Sequence, residues 1–222
     1  MIFRKISSVE PVVDHLAQSI SKHLEKGGEV LWLLSGGSFI PVQVEVAKQL
    51  NGTNLSGLTV TLTDERYGPV GHPDSNWQKL LNAGFSLSGA QLRPVLENKD
   101  LVQTTGDFTA YLKSEFANSD YKIACIGIGT DGHVLGVKAE SAGVNSPEVA
   151  ISYRAEDFER ITMTLAALKL LNEAVVYMVG DDKHELIRQI AEEDVEPIQQ
   201  PGQAIKTVKK VTVYNDYKGE AV

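Results

Sequence analysis

The sequence predicts an α/β domain built on a mostly parallel sheet. Short apolar runs alternate with stretches of helical period along the whole chain, the order expected of βαβ units. Runs such as Val30-Leu31-Trp32-Leu33-Leu34 are apolar at every position, which marks strands buried on both faces. With 222 residues, 42% apolar and 23% charged, the chain has the size and composition of one globular domain over residues 1–222.

In order, Val13, Leu16, Ala17, Ile20 and Leu24 recur at three and four residues until Gly27-Gly28, an amphipathic helix with a glycine stop. The strand at 30–34 follows and ends at Gly36-Gly37; Pro41 then suits the first turn of a helix running to Leu50. Leu58 to Leu62 reads as a strand, and the stretch around Trp77 to Leu81 as a helix after a Pro/Gly-rich loop. Phe108, Tyr111, Leu112 and Phe116 mark a further helix, and Ile123 to Ile128 a buried strand ending at Gly129. Residues 139–147 form the least regular stretch, expected to be a loop near the site. Ile161 to Met163 (strand), Ala166 to Leu171 (helix), Ala174 to Val179 (strand), Leu186 to Ile190 (helix) and Val211 to Tyr214 (strand) complete the pattern. No internal repeat, low-complexity tract or linker interrupts it.

Composition excludes several functions. The net charge is −8, from 21 basic and 29 acidic residues, and no Lys/Arg-rich block offsets it, so a nucleic-acid partner is not expected. One cysteine cannot form an internal disulfide, which fits a reducing, cytoplasmic setting. The N-terminal stretch has no apolar signal core, and no run is long enough to cross a bilayer, so no membrane partner is expected. Five histidines occur, none at zinc-like spacing. The expected partner is a small molecule, with no metal and no cofactor.

Ligands of open parallel sheets bind beyond the carboxyl ends of the strands, and three such ends carry unusual residues. Ser35-Gly36-Gly37-Ser38 lies between a strand and a helix. Glycines let backbone N–H groups approach an anion, although a plain strand–helix turn with serine caps has the same composition. Thr63-Asp64-Glu65-Arg66-Tyr67, with Asp74-Ser75-Asn76 beyond it, puts three charges directly after an apolar strand. These are costly to bury unless used or paired in a structural ion pair. Gly127-Ile128-Gly129-Thr130-Asp131-Gly132-His133 brings a carboxylate beside an imidazole, either a general base with its orienting acid or a structural histidine. It is not taken as a dinucleotide-binding fingerprint. A fourth segment, Gly180-Asp181-Asp182-Lys183-His184, places a lysine in the first turn of the Leu186 helix. The helix dipole disfavours a cation there unless an anion lies between them.

Together these segments resemble, in order and over most of the chain, the 6-phosphogluconolactonase branch of the glucosamine-6-phosphate isomerase/6-phosphogluconolactonase family. Ser35 to Ser38 resembles its S-G-G-S/R-T-P phosphate loop, and Asp64-Glu65-Arg66 with Ser75-Asn76 its D-E-R…S-N segment. Gly127 to His133 resembles G-x-G-x-D-G-H, Arg160 to Thr164 the R-[VI]-T-[LM]-T strand, and Gly180 to Lys183 the G-x-x-K helix start. Two stretches depart. Phe39-Ile40 stands where the family has one threonine, and Val134-Leu135-Gly136-Val137-Lys138-Ala139 stands where it reads T-A-S-L-F-P.

The resemblance implies a Rossmann-like three-layer α/β/α fold and metal-free hydrolysis of a sugar-phosphate lactone in the pentose phosphate pathway. It implies His133 as base, oriented by Asp131 or Asp64, with Arg66 and the N–H groups of Gly36 and Gly37 facing the oxyanion or sugar. Arg160 and Lys183, with Ser35 and Ser38 of the loop, would hold the 6-phosphate. An aldose–ketose isomerase or amino-sugar-phosphate deaminase would use the same pocket, with Asp64 moving a proton; Arg66 speaks against it, because deaminases resemble D-E-Y there. A sugar-phosphate sensor fused to a DNA-binding helix pair is the other alternative. A first strand near residue 30 leaves no room for that helix pair.

Overall fold

The computed structural model describes residues 1–222. In chain order the elements are β1 (Ile2–Lys5), α1 (Glu10–Leu24), β2 (Val30–Leu34), α2 (Ile40–Leu50), β3 (Leu58–Leu62), β4 (Asp64–Arg66), α3 (Asn76–Asn82) and β5 (Gln91–Leu92). Then come α4 (Leu101–Asn118), β6 (Tyr121–Gly127), α5 (Ala142–Asn145), β7 (Ala150–Arg154) and β8 (Glu159–Met163). The chain closes with α6 (Leu165–Leu168), β9 (Glu173–Met178), α7 (His184–Glu192), β10 (Lys210–Asn215) and β11 (Glu220–Ala221).

Eight strands form one sheet in the order β11-β1-β10-β9-β6-β2-β3-β5, and every pairing in it is parallel. β2 and β3 are buried at all five positions, as expected of a parallel sheet covered on both faces. The fold is Rossmann-like α/β, with one contiguous core of 58 buried residues. A second sheet of three antiparallel strands, β4-β8-β7, stands beside it.

From β2 the chain winds outward through β3 to β5, then returns to place β6 on the other side of β2. The winding direction reverses between β2 and β6, and a crevice opens at such a switch point. The loops that leave these two strands are Ser35–Ser38 and Gly129–His133.

The structure corrects three expectations from sequence and refines a fourth. A strand, β1, precedes the first helix, so the first strand is not near residue 30; its four residues are mostly polar or exposed and carry no apolar run. Ile161 to Met163 is a strand, but it belongs to the antiparallel sheet. The helix expected over 166–171 is the single turn α6. Residues 139–147 contain the short helix α5, and none of them lines the cleft described below.

At the start of β9, Glu173 ties helix to sheet. Its carboxylate accepts from His15 of α1 and from Lys210 of β10, both at 2.7 Å, and from the Tyr121 hydroxyl. His15 reaches Tyr214 through its other nitrogen at 2.9 Å. Burial pushes the carboxyl up, but these donors outweigh it and hold Glu173 down at about 2. A carboxylate depressed in the fold adds stability above its unfolded value and loses it as the pH falls through the folded one. The window therefore runs from about 4.5 down to about 2, and a shift of that size corresponds to roughly 3 kcal/mol. Thermal melts across this window should fall steeply for the native chain and less steeply for Glu173→Gln.

Candidate active site

A cleft of about 250 Å³ opens at the switch point. It is lined by Ser35, Gly36, Gly37 and Ser38 after β2, by Asp64, Arg66 and Asn76, by the Gly127–His133 loop, and by Arg160 and Lys183. Nine of the ten residues singled out from sequence thus share one cleft. The tenth, Asp131, stands just outside it and grips its histidine.

The first wall is the β2–α2 loop. Gln43 in α2 is fully buried and clamps the backbone of Ser35, its Oε1 accepting the Ser35 N–H at 2.7 Å and its Nε2 donating to the Ser35 carbonyl at 2.8 Å. The Gly36 N–H donates to nothing inside the protein and remains available to a ligand. Position 36 requires glycine, because a Cβ there would lie 2.2 Å from Asn76 Oδ1. Phe39 turns away from the cleft; it is wholly buried and packs edge-on against Tyr177. The departure at Phe39-Ile40 therefore feeds the core.

The second wall is built on Glu65. This carboxylate is inaccessible to solvent and accepts from Ser75 Oγ (2.8 Å) and from the backbone N–H groups of Arg66 (2.7 Å), Asn76 (2.6 Å) and Trp77 (3.1 Å). Burial pushes its pKa up against the pull of these four donors. Glu65 thus anchors the start of α3 and fixes its two neighbours, Asp64 and Arg66, at the cleft. Asp64 is 6% exposed and accepts from Thr63 Oγ1 at 3.1 Å; Asn76 Nδ2 lies 3.0 Å from its carbonyl.

Arg66 and Arg160 face each other across the β4–β8 pair. Like charges at opposed positions repel, and both guanidiniums lie over the Phe158 ring, at 5.3 and 6.0 Å. Arg160 is 4% exposed and has one carboxylate partner, Asp157, at 2.7 Å. The Nε of each arginine is buried without a partner. Lys183 adds a third cation that makes no ion pair with any carboxylate; burial lowers its pKa, which disfavours the charge until an anion compensates. It ends a 3-10 turn just before α7, so it caps that helix rather than lying inside its first turn. Three cations thus line one cleft of a chain whose net charge is −8, chemistry suited to an anion.

His133 is held from behind. Asp131 Oδ1 lies 2.5 Å from its Nδ1, which places the proton on Nδ1 and leaves Nε2 with a free lone pair. Burial pushes Asp131 up, yet the charge of His133 and its hydrogen bonds prevail and keep the carboxyl below its ordinary value. Of the two orienting acids expected, only Asp131 bonds the ring. The loop closes through Gly129 N–H to His133 carbonyl (3.0 Å) and Gly132 N–H to Gly129 carbonyl (2.9 Å). A Cβ at Gly129 would fall 2.2 Å from His133 Cε1 and 2.6 Å from Asp131 Oδ1.

Sequence reasoning did not nominate Asn76, Gln43 or Phe158. Asn76 stood in the quoted Ser75-Asn76 pair, and its place beside a buried acidic loop was the signal to use. Gln43 stands among Ile40, Val46, Ala47 and Leu50 on the apolar face of α2, and a polar side chain on that face was its signal. Phe158 carries no signal of its own.

A family model described as glucosamine-6-phosphate isomerases/6-phosphogluconolactonase matches residues 5–214. No curated protein matches in sequence. Among solved structures, a 6-phosphogluconolactonase from Shewanella baltica superposes with a TM-score of 0.82 at 20% identity, covering 97% of each chain. That from Thermotoga maritima gives a TM-score of 0.82 at 21% identity, over 96% of this chain and 97% of that one. A monomeric glucosamine-6-phosphate deaminase gives 0.79 at 18% identity, covering 97% of both chains. At such identities the likeness speaks to the fold, while the sequence model speaks to descent. Matched over nearly its whole length, the chain belongs to the family of glucosamine-6-phosphate isomerases and 6-phosphogluconolactonases.

Proposed function

We propose that the protein hydrolyses 6-phospho-D-glucono-1,5-lactone to 6-phospho-D-gluconate, a step of the pentose phosphate pathway. The observation that carries this reading is the pairing of a carboxylate-held imidazole with three cations in one polar cleft.

Hydrolysis of a lactone needs a base for water and donors for the carbonyl oxygen as it becomes an oxyanion. His133 Nε2 takes a proton from water as the oxygen attacks C1. The imidazolium then returns that proton to the ring oxygen when the C1–O bond breaks, and Asp131 stabilises the imidazolium between the two events. The free Gly36 N–H and the Arg66 guanidinium serve the oxyanion, while Arg160, Lys183 and the hydroxyls of Ser35 and Ser38 take the phosphate. Gly37 lets the loop wrap the anion.

The decisive assay generates the lactone with glucose-6-phosphate dehydrogenase and follows its loss against the spontaneous rate. Ammonia release from glucosamine 6-phosphate, with no lactone turnover, would assign the cleft to the deaminase reaction, in which Asp64 moves the proton. Lys183→Ala should weaken binding of the phosphorylated substrate by about 1.5–3 kcal/mol, the range for a charged hydrogen bond. Unphosphorylated gluconolactone should be nearly indifferent to that change; equal losses on both would make Lys183 structural. Because the proposed steps use only side chains and backbone, turnover should survive EDTA. Activity on phosphorylated and unphosphorylated lactone alike, lost to EDTA and restored by a divalent cation, would overturn that mechanism.

A further inference from the structure

The turn that presents Lys183 also carries donors the cleft does not use. We propose that Asp181, His184 and Asp216 form a binding site for a borderline divalent transition metal of the zinc class, separate from the reacting centre. Three features of the structure support it.

One donor atom from each side chain converges, all within 4.8 Å of one another. His184 Nε2 lies 3.0 Å from Asp216 Oδ1 and 3.7 Å from Asp181 Oδ1. Ligands bound at zinc distances stand about 3–3.5 Å apart, so closing the set needs only a small movement of Asp181, which is fully exposed.

The other two donors are already aimed by groups that would not bind the ion. Asp216 spends its second oxygen on the Gly180 N–H at 3.0 Å. The His184 ring stacks on Tyr217, with centroids 4.6 Å apart and planes 18° from parallel. Such outer contacts are what hold metal ligands in place.

The two carboxylates are also without a permanent cation beside them. Neither Asp181 nor Asp216 pairs with any lysine or arginine, and His184 is the only ion-pair partner of either. One imidazole with two carboxylates and no thiolate suits zinc, cobalt or manganese; the nitrogen disfavours calcium and magnesium, and the absence of sulfur disfavours copper(I). A bound ion would pin the Gly180–His184 turn and with it the backbone of Lys183.

The test uses the full chain, stripped with EDTA and titrated calorimetrically with zinc, with cobalt(II) absorbance as an independent spectroscopic readout. One ion per chain is expected, with a rise in melting temperature on binding. Asp216→Asn and His184→Ala should each weaken binding at least about tenfold. Asp181→Asn should weaken it as well, and because that side chain is wholly exposed the variant tests the site without risk to the fold. No binding at millimolar zinc would overturn the proposal, as would one-to-one binding that all three variants leave unchanged. Neither result depends on which reaction the cleft performs.

Discussion

His133→Asn is expected to lower kcat for the phosphorylated lactone by roughly 10² to 10⁴, the contribution of a positioned general base. Asparagine keeps a polar group of similar size, and His133 is about one-third exposed, so the fold should survive. The proposed phosphate contacts lie on other elements, so affinity for 6-phosphogluconate should change little. Turnover of the native enzyme should also fall as the pH is lowered, because a protonated imidazole cannot accept from water. The Asp131 carboxyl, held below the ordinary range, remains ionised to lower pH than a free aspartate and so keeps accepting from His133 Nδ1. Lactones hydrolyse faster in alkali without help, so rates must be compared after subtracting that background. Near-native turnover in His133→Asn would move the chemistry to Asp64 and revive the isomerase or deaminase reading.

Gly129→Ala should have an effect of comparable size without removing any functional group. The new methyl would overlap His133 Cε1 at 2.2 Å and Asp131 Oδ1 at 2.6 Å. Since the Gly129 backbone is held by its bond to the His133 carbonyl, the displaced partner must be the imidazole–carboxylate pair. A misplacement of about 1 Å at a reacting group costs on the order of 10²-fold in rate. Loss of kcat with an unchanged affinity for 6-phosphogluconate would support this account. A parallel loss of melting temperature and affinity would mean that the whole loop had collapsed, and native kinetics would mean that the His133–Asp131 geometry does not matter.

Much of this architecture is legible in one sequence for a physical reason. β2 is apolar at every position and β3 alternates leucine and valine with threonine, β-formers throughout, so both could be delimited from residues alone. Loops at the ends of such strands stand out because glycine and charge are expensive there, and that contrast exposed Ser35–Ser38, Asp64–Arg66 and Gly127–His133. Elements without that contrast were not legible. β1 is short and half-polar, and its pairing with β10 joins the two ends of the chain, a partnership that no local pattern encodes. The antiparallel placement of β8 likewise depends on β4 and β7 arriving beside it.

In the site, sequence alone determined which residue types stand at the carboxyl ends of the strands, and so the acid–base and anion-binding chemistry available. The choice between partners came with the three-dimensional packing. Both Asp64 and Asp131 could orient His133 on paper, and the 2.5 Å contact belongs to Asp131. Glu65, as acidic as its neighbours in sequence, is spent on the start of α3 by four hydrogen bonds. Arg66 and Arg160, 94 positions apart in the chain, became a cation pair only through strand register. Hydrophobic pattern and local backbone preference are written residue by residue, whereas a side chain's partner depends on which distant segment folding brings within about 3 Å of it.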